Sequence, residues 1–251
     1  RIVLIGGTSA TYEVKGDEQD KDFRCPILEE RLCDAVFQRE SENKIKHFIN
    51  TLQGENNSAP VPGIYFMLNG KLSRSGKGND LVAHASIGNL IKQHANFPVG
   101  DYYKIGTLGP MSRMAGVEKP FATPLVTRGC RFSCSFCDVR NLNGKGTRNR
   151  EVKDVLDEMQ YLYNSQGIRH FEFLDDDLGG GDKQYILELF GGIKQKFGSD
   201  ISWSAQNGMI AKYLDEDILK SFDNTNCVGF KVGVETGDPE MLHYVEKPGT
   251  I

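Results

Sequence analysis

From Pro124 onward, short apolar runs alternate with stretches of helical periodicity, and this alternation constrains the fold more than any other feature of the chain. Leu125-Val126-Thr127 reads as a strand, and the helix expected after it carries Val152, Val155, Leu156, Met159 and Leu162 on one face. Next come a strand at His170 to Leu174, a helix around Tyr185 to Phe197 and a strand at Ile201 to Ala205. A helix with Leu214, Ile218, Leu219 and Phe222, a strand at Val228 to Val234 and a helix from Pro239 complete the series. Strands that alternate with helices pair in parallel, because each crossover returns the chain to the same end of the sheet. The expected fold class is therefore α/β, with four strand and helix units and with functional groups gathered at the carboxyl ends of the strands.

The front half is less regular. Ile2 to Ile5 is a continuous apolar run closed by Gly6-Gly7, as in a strand buried on both faces. Residues 8–25 are polar and read as a loop, Asp34 to Phe37 as a short strand, and Ile45, Phe48, Ile49 and Leu52 recur at helical spacing. Gly63 to Met67 and Lys71-Leu72 flank Asn69-Gly70, a strong hairpin signal. Scattered Gly and Pro between Ser73 and Pro120 predict an irregular connector. The first residue is not methionine, and the chain stops just after a helical segment, so both ends are expected to lie inside longer domains.

A net charge of -4 over 251 residues supplies no basic field of the kind a general nucleic-acid binder needs, so a nucleic-acid partner is unsupported. No apolar run approaches the roughly 20 residues that span a bilayer, and the start has no signal-peptide layout. A cytoplasmic location without a membrane partner is expected. The six cysteines are too sparse for a disulfide scaffold, yet three of them crowd into eight residues, which in a reducing compartment points to metal.

Those three, Cys130, Cys134 and Cys137, have the spacing Cys-x3-Cys-x2-Cys. A closed four-iron cluster wants four thiolates, so three ligands on one loop leave one iron open to a substrate or cofactor group. Zinc is the rival, but its sites draw their remaining ligand from a paired knuckle, and His94 and His170 are each more than thirty residues from the loop. A simple electron carrier would need Cys25, Cys33 or Cys227 as a fourth ligand; for these three, small buried side chains are the plainer reading.

The stretch Phe121-Ala122-Thr123-Pro124-Leu125-Val126-Thr127-Arg128-Gly129-Cys130-Arg131-Phe132-Ser133-Cys134-Ser135-Phe136-Cys137 resembles the opening of the radical S-adenosylmethionine (SAM) barrel, above all in its cobalamin-binding subgroup. The resemblance implies a partial (β/α) barrel preceded by the end of a Rossmann-like cobalamin-binding domain. It also implies that Cys130, Cys134 and Cys137 hold a four-iron four-sulfur cluster, whose open iron takes the amino and carboxylate groups of SAM. One electron would then cleave SAM to a 5'-deoxyadenosyl radical. An electron donor such as flavodoxin or ferredoxin and a small-molecule substrate are implied as partners.

By the same resemblance Phe136 lies near the adenine, mainly through its backbone, and Asp175 and Asp176 match a strand ending in paired aspartates beside SAM. Glu235 stands where a carboxylate could meet ribose hydroxyls or the SAM ammonium. A solvated acidic turn or a divalent-ion contact, and a plain strand leading to a helix capped at Asp238-Pro239, are the alternatives at these two places. Trp203 to Asn207 falls where polar cofactor contacts occur, but Gly208 replaces the usual arginine. Arg148-Asn149-Arg150 matches a recurring family feature and is read here as a solvated basic turn.

In the front half, Gly6 and Gly7 match glycines that let the cobalamin tail approach the backbone, though Arg39 replaces a glycine further on. The cobalt-ligating Asp-x-His-x-x-Gly motif is absent from the 251 residues. The expected organisation is a cobalamin-binding-like remnant at 1–74, the connector at 75–120 and the first part of the barrel at 121–251. Three functions stay open: radical SAM chemistry with cobalamin (methyl transfer or a skeletal or ring-forming step), the same without cobalamin, and a metal-stabilised binding or electron-transfer module.

Overall fold

The computed structural model describes residues 3–6, 24–53, 63–68, 71–74, 91, 101, 104, 106–118 and 120–248. The chain divides into two units, one of Arg1–Val82 with Asp138–Gly144 and one of Ala83–Cys137 with Lys145–Ile251.

In the first unit, β1 (Leu4–Ile5), β2 (Ala35–Phe37), β3 (Ile64–Leu68) and β4 (Lys71–Arg74) form one sheet in that order. β1 and β2 are parallel and the other pairs antiparallel. β2 is apolar throughout because both of its faces are covered. Val36 packs with Leu28, Cys33 and Tyr65 on one side, and Ala35 and Phe37 with Ile64 on the other. Helix α1 (Arg24–Glu29) supplies Leu28 to the first cluster, and α2 (Glu42–Leu52) lays Ile45 and Phe48 against the second. Ile49 and Leu52, predicted on the same helical stripe, are exposed. Gly7, the Asn69-Gly70 turn and most of the expected loop and connector lie outside the described residues.

The second unit is built on a four-stranded parallel sheet in the order β10-β9-β8-β5, as the alternation of strands and helices predicts. Its strands are β5 (Phe121–Ala122), β8 (His170–Phe173), β9 (Ser202–Met209) and β10 (Cys227–Val232). The first strand is a correction. Leu125-Val126-Thr127 does not join the sheet; Phe121–Ala122 takes that seat, and Thr127–Cys130 forms β6, paired antiparallel with β7 (Gly146–Asn149). Pro124, which has no N–H to give to a ladder, lies between the two.

Helices α4 (Val152–Gln166), α5 (Lys183–Phe197), α6 (Glu216–Asp223) and α7 (Pro239–Tyr244) follow the four strands. Aspartates start three of them: Asp182 accepts the Tyr185 amide at 3.0 Å, Asp215 that of Ile218 at 3.1 Å and Asp238 that of Glu240 at 2.9 Å. The core joins Val155, Met159 and Leu162 of α4 to Phe171 and Phe173 of β8 and to Ile193 of α5. At its centre Trp203 lies 4.5 Å from Phe190, 5.0 Å from Phe222 and 5.6 Å from Phe173, ring centre to ring centre.

The predicted connector is not irregular throughout: α3 (Pro110–Met114) is buried at Ser112, against the other face of the sheet. The Ser112 hydroxyl lies 2.8 Å from His170 Nε2 and 2.9 Å from Ser204 Oγ, and Gln206 donates to it at 3.1 Å. Among the described residues no helix is long and apolar enough to cross a membrane.

Candidate functional site

β6 ends at Cys130, which stands opposite Gly146 of β7, and the loop that follows carries the other two cysteines of the motif. Cys130 and Cys134 are half-buried, Cys137 is exposed, and all three are free thiols. The Cys137 amide donates to the Cys134 carbonyl at 3.0 Å, closing a tight turn between them. Burial raises the Cys130 thiol, while the Phe132 amide pointing at its sulfur works the other way. Burial likewise raises Cys134, opposed first by the Lys247 ammonium. Cys227 is pushed up to about 11 by burial, the behaviour of a structural thiol, and Cys33 is buried.

The strand that presents the loop is fixed from below. Asp175 follows β8 and is only 2% exposed. Its Oδ1 accepts the Val126 amide at 2.9 Å and the Thr127 amide as well, and the Thr127 hydroxyl accepts the Gly179 amide at 2.9 Å. Burial pushes the Asp175 carboxyl up to about 7 against the pull of those amides, and its Oδ2 is buried without a hydrogen-bond partner among the described residues. The carboxylate thus faces the backbone of β6.

Gly179, Gly180 and Gly181 all have positive φ, and a side chain on any of them would collide with a different neighbour: Ile186, Thr147 and Arg131 respectively. The Arg131 guanidinium fills the space beside Gly181. It donates to Asp177 at 3.2 Å and lies 4.1 Å from the centre of the Tyr213 ring, which is stacked with Phe132.

On its other side the loop meets the segment after α7. The Ser135 amide donates to the Val245 carbonyl at 3.0 Å, and the Ser133 hydroxyl to Glu246 at 2.9 Å. Lys247 donates to Glu235 at 2.9 Å and stands 5.9 Å from the ring centre of Phe136, which is 57% exposed. Glu235 has φ of 60°, a left-handed conformation uncommon outside glycine.

Cys130, Cys134, Cys137 and Phe136 therefore share one loop, with Glu235 tied to it through Lys247. Asp176 is half-buried beside Asp175. Gly6 belongs to the first unit, and its surroundings would tolerate a side chain, the nearest atoms being Ser41 Oγ at 3.6 Å and Phe37 O at 3.9 Å. Arg150 corrects the expectation of a solvated basic turn. It is buried, paired with Glu158 at 2.5 Å and bonded to the Leu125 carbonyl at 2.9 Å.

Arg131 and Lys247 were outside the expected site. The one sequence signal for Arg131 is its place inside the cysteine motif, and Lys247 has none short of knowing how α7 returns.

Among the described residues, no three His, Cys, Asp or Glu side chains are drawn together closely enough to hold a metal ion as they stand. The fit to a cluster is one of donor chemistry. Three free thiols sit on one loop, the donor set of such a cluster; burial raises Cys130 and Cys134, and the Phe132 amide at one sulfur and the Lys247 ammonium near the other work against that rise.

Residues 125–251 match the family model of the Radical SAM superfamily, and the chain belongs to that superfamily, whose enzymes use a four-iron four-sulfur cluster and SAM. It is 27% identical over 246 residues to an uncharacterized methyltransferase of Pyrococcus horikoshii, covering 98% of this chain and 48% of that protein. It is 24% identical over 271 residues to the cytidylyl-2-hydroxyethylphosphonate methyltransferase of Streptomyces wedmorensis, covering 98% and 47%. The chain thus spans about half the length of these relatives. Among solved structures it resembles the cobalamin-dependent SAM radical enzyme OxsB, with aqua-cobalamin and SAM bound, at a TM-score of 0.66 and 18% identity over 99% of this chain and 33% of that one. It also resembles the radical SAM methyltransferase TsrM from Kitasatospora setae, with cobalamin and a [4Fe-4S] cluster bound, at 0.63 and 16% over 99% and 45%. These two likenesses show the fold.

Proposed function

We propose that the chain supplies the cluster-bearing part of a radical SAM enzyme, with Cys130, Cys134 and Cys137 as the ligands of a four-iron four-sulfur cluster. The observation that carries the reading is the loop itself: three free cysteines at the end of β6, with no fourth cysteine in the motif, so that one iron stays open. When bound, the cluster supplies one electron that cleaves SAM to a 5'-deoxyadenosyl radical, and a reductant such as flavodoxin or ferredoxin restores it.

The residues of the chain bind and orient. Phe136 and Glu235 stand at the exposed side of the loop, where the adenosyl and amino-acid parts of SAM are to be held, and Asp176 lies at the end of β8. Asp175 acts at one remove, by fixing the β6 backbone that leads to Cys130. The likeness to cobalamin-dependent enzymes and the methyltransferase names of the relatives favour methyl transfer to a small-molecule substrate with cobalamin as second cofactor. Residues 1–74 would then be the end of the cobalamin-binding domain, with Gly6 and Gly7 beside the cofactor tail, and 121–251 the first part of the barrel.

Anaerobic reconstitution tests the cluster and SAM roles. Iron and sulfide should load onto the wild-type chain, and the EPR signal of the reduced cluster should change when SAM is added. Cys134→Ala should lose the signal. A loaded cluster indifferent to SAM would instead mark an electron-transfer module.

A further inference from the structure

Arg131 follows Cys130 in the chain and is held in a way that hydrogen bonding alone does not explain. Of its N–H donors, Nε reaches Asp177 Oδ2 at 3.2 Å, while Nη2 is buried with no hydrogen-bond partner among the described residues. A buried donor left in that state costs stability. The fold keeps the guanidinium there all the same. Tyr213 covers it at 4.1 Å and Phe132 at 5.2 Å, and Gly181, at a φ of 67°, leaves the room that a side chain would take. What this arrangement preserves is a cation beside Cys130.

The partner supplies the reason. The Asp177 side chain is only 4% exposed, so water screens its charge poorly. Burial raises the Cys130 thiol, the Phe132 amide opposes it, and the Asp177 carboxylate adds to the rise, so the field of that carboxylate reaches the sulfur. Burial raises Asp177 in turn, and the Arg131 guanidinium works against this. A buried anion at this place repels any negative charge added nearby, an incoming electron included.

We propose that Arg131 and Asp177 form a charge-setting pair for the cluster, with Arg131 offsetting the buried carboxylate beside Cys130 so that one electron can be accepted there. Arg131 is also a positioning residue. Through Phe132 and Tyr213 it ties the Cys130 end of the loop to the segment after β9, and through Asp177 to the segment after β8. The electron comes from a low-potential one-electron donor, the reduced cluster carries one more negative charge, and no bond is made or broken at the pair. The inference rests on the reading that the three cysteines hold a four-iron cluster.

The test is the midpoint potential of the reconstituted full chain without SAM, followed by EPR during reductive titration in mildly alkaline buffer, where Asp177 stays ionised. Iron content is measured first. Asp177→Asn keeps an oxygen for the Arg131 Nε–H and removes the charge; it should favour reduction by roughly tenfold, about 59 mV for one electron. Arg131→Gln should shift the potential the opposite way, Arg131→Lys should hold the wild-type value, and the double variant Asp177→Asn with Arg131→Gln should return close to it. A loop that is merely loosened would move both single variants in one direction and leave the double variant no better. That pattern, or an unchanged potential in Asp177→Asn, overturns the proposal while the cluster reading stands. A wild-type chain that loads no cluster ends both. If one of the two single variants loads no iron, the direction of shift in the other decides. If neither loads while the wild type does, the pair is a folding element and the charge-setting role falls.

Discussion

Arg150 shows how much a single polar residue can hide. Its guanidinium is 1% exposed, paired with Glu158 and bonded to the Leu125 carbonyl, while its own carbonyl accepts the Tyr185 hydroxyl at 2.8 Å. The arginine therefore ties the approach to the cysteine loop to α4 and α5. Removing one partner of a buried pair leaves the other charge without compensation, which costs about 3–5 kcal/mol. Glu158→Ala should lose stability on that scale in urea unfolding, whereas Arg150→Met combined with Glu158→Leu should recover most of it. A double variant no better than the single one would show that the packing, and not the orphaned charge, dominates. In the sequence, Arg148-Asn149-Arg150 looks the same whether solvated or paired. The clue lies eight positions on, where Glu158 falls on the apolar stripe of α4 between Val155 and Leu162.

Among the elements, the helices were the most legible. Their apolar stripes are local, so the helices at Val152–Gln166 and Lys183–Phe197 follow from spacing alone, while that at Glu216–Asp223 buries Ile218 and Phe222 of the expected stripe but leaves Leu214 ahead of it and Leu219 exposed. The strands were legible as strands but not always in their partners. Leu125-Val126-Thr127 is as apolar as a sheet strand because Val126 is buried, yet the chain turns at that point into the β6–β7 ribbon. Which of two short apolar runs enters a sheet depends on long-range pairing, which no local pattern records. The same holds for α3, whose seat is a set of polar contacts made across more than fifty positions of sequence.

β6 also carries a pH dependence. Asp175 titrates near pH 7 in the folded chain but near about 3.9 unfolded, so between those values the folded state holds a proton that the unfolded state has lost. Its contribution to stability is full below the lower value and falls away as pH rises through 7. Asp175→Asn keeps an oxygen for the Val126 and Thr127 amides and removes the titration. The urea midpoint of that variant should change less between pH 5 and pH 7 than that of the wild type, and an equal change would assign the dependence to another group.

At the scale of the whole chain, each unit rests on its own sheet and its own apolar clusters, and the aromatic group around Trp203 is the largest of these cores. Trp203→Ala would open a cavity where three rings meet and should lower the stability of the second unit by about 3–5 kcal/mol. Chemical unfolding followed by circular dichroism reads that loss, and a change under 1 kcal/mol, within the range of ordinary surface substitutions, would mean that the core closes around the gap.

The bond from Ser133 to Glu246 joins positions 113 apart in the chain, and this separation sets a schedule. At synthesis rates of about 5–20 residues per second, the partner of the cysteine loop leaves the ribosome roughly 6 to 23 seconds after the loop itself. Within that interval β7 and then Asp175 follow the loop out of the ribosome, and the far segment comes last. The nascent loop is thus a looser and more oxidisable object than the finished one, and oxygen kept away during translation should raise the yield of chain able to take up iron more than oxygen kept away afterwards.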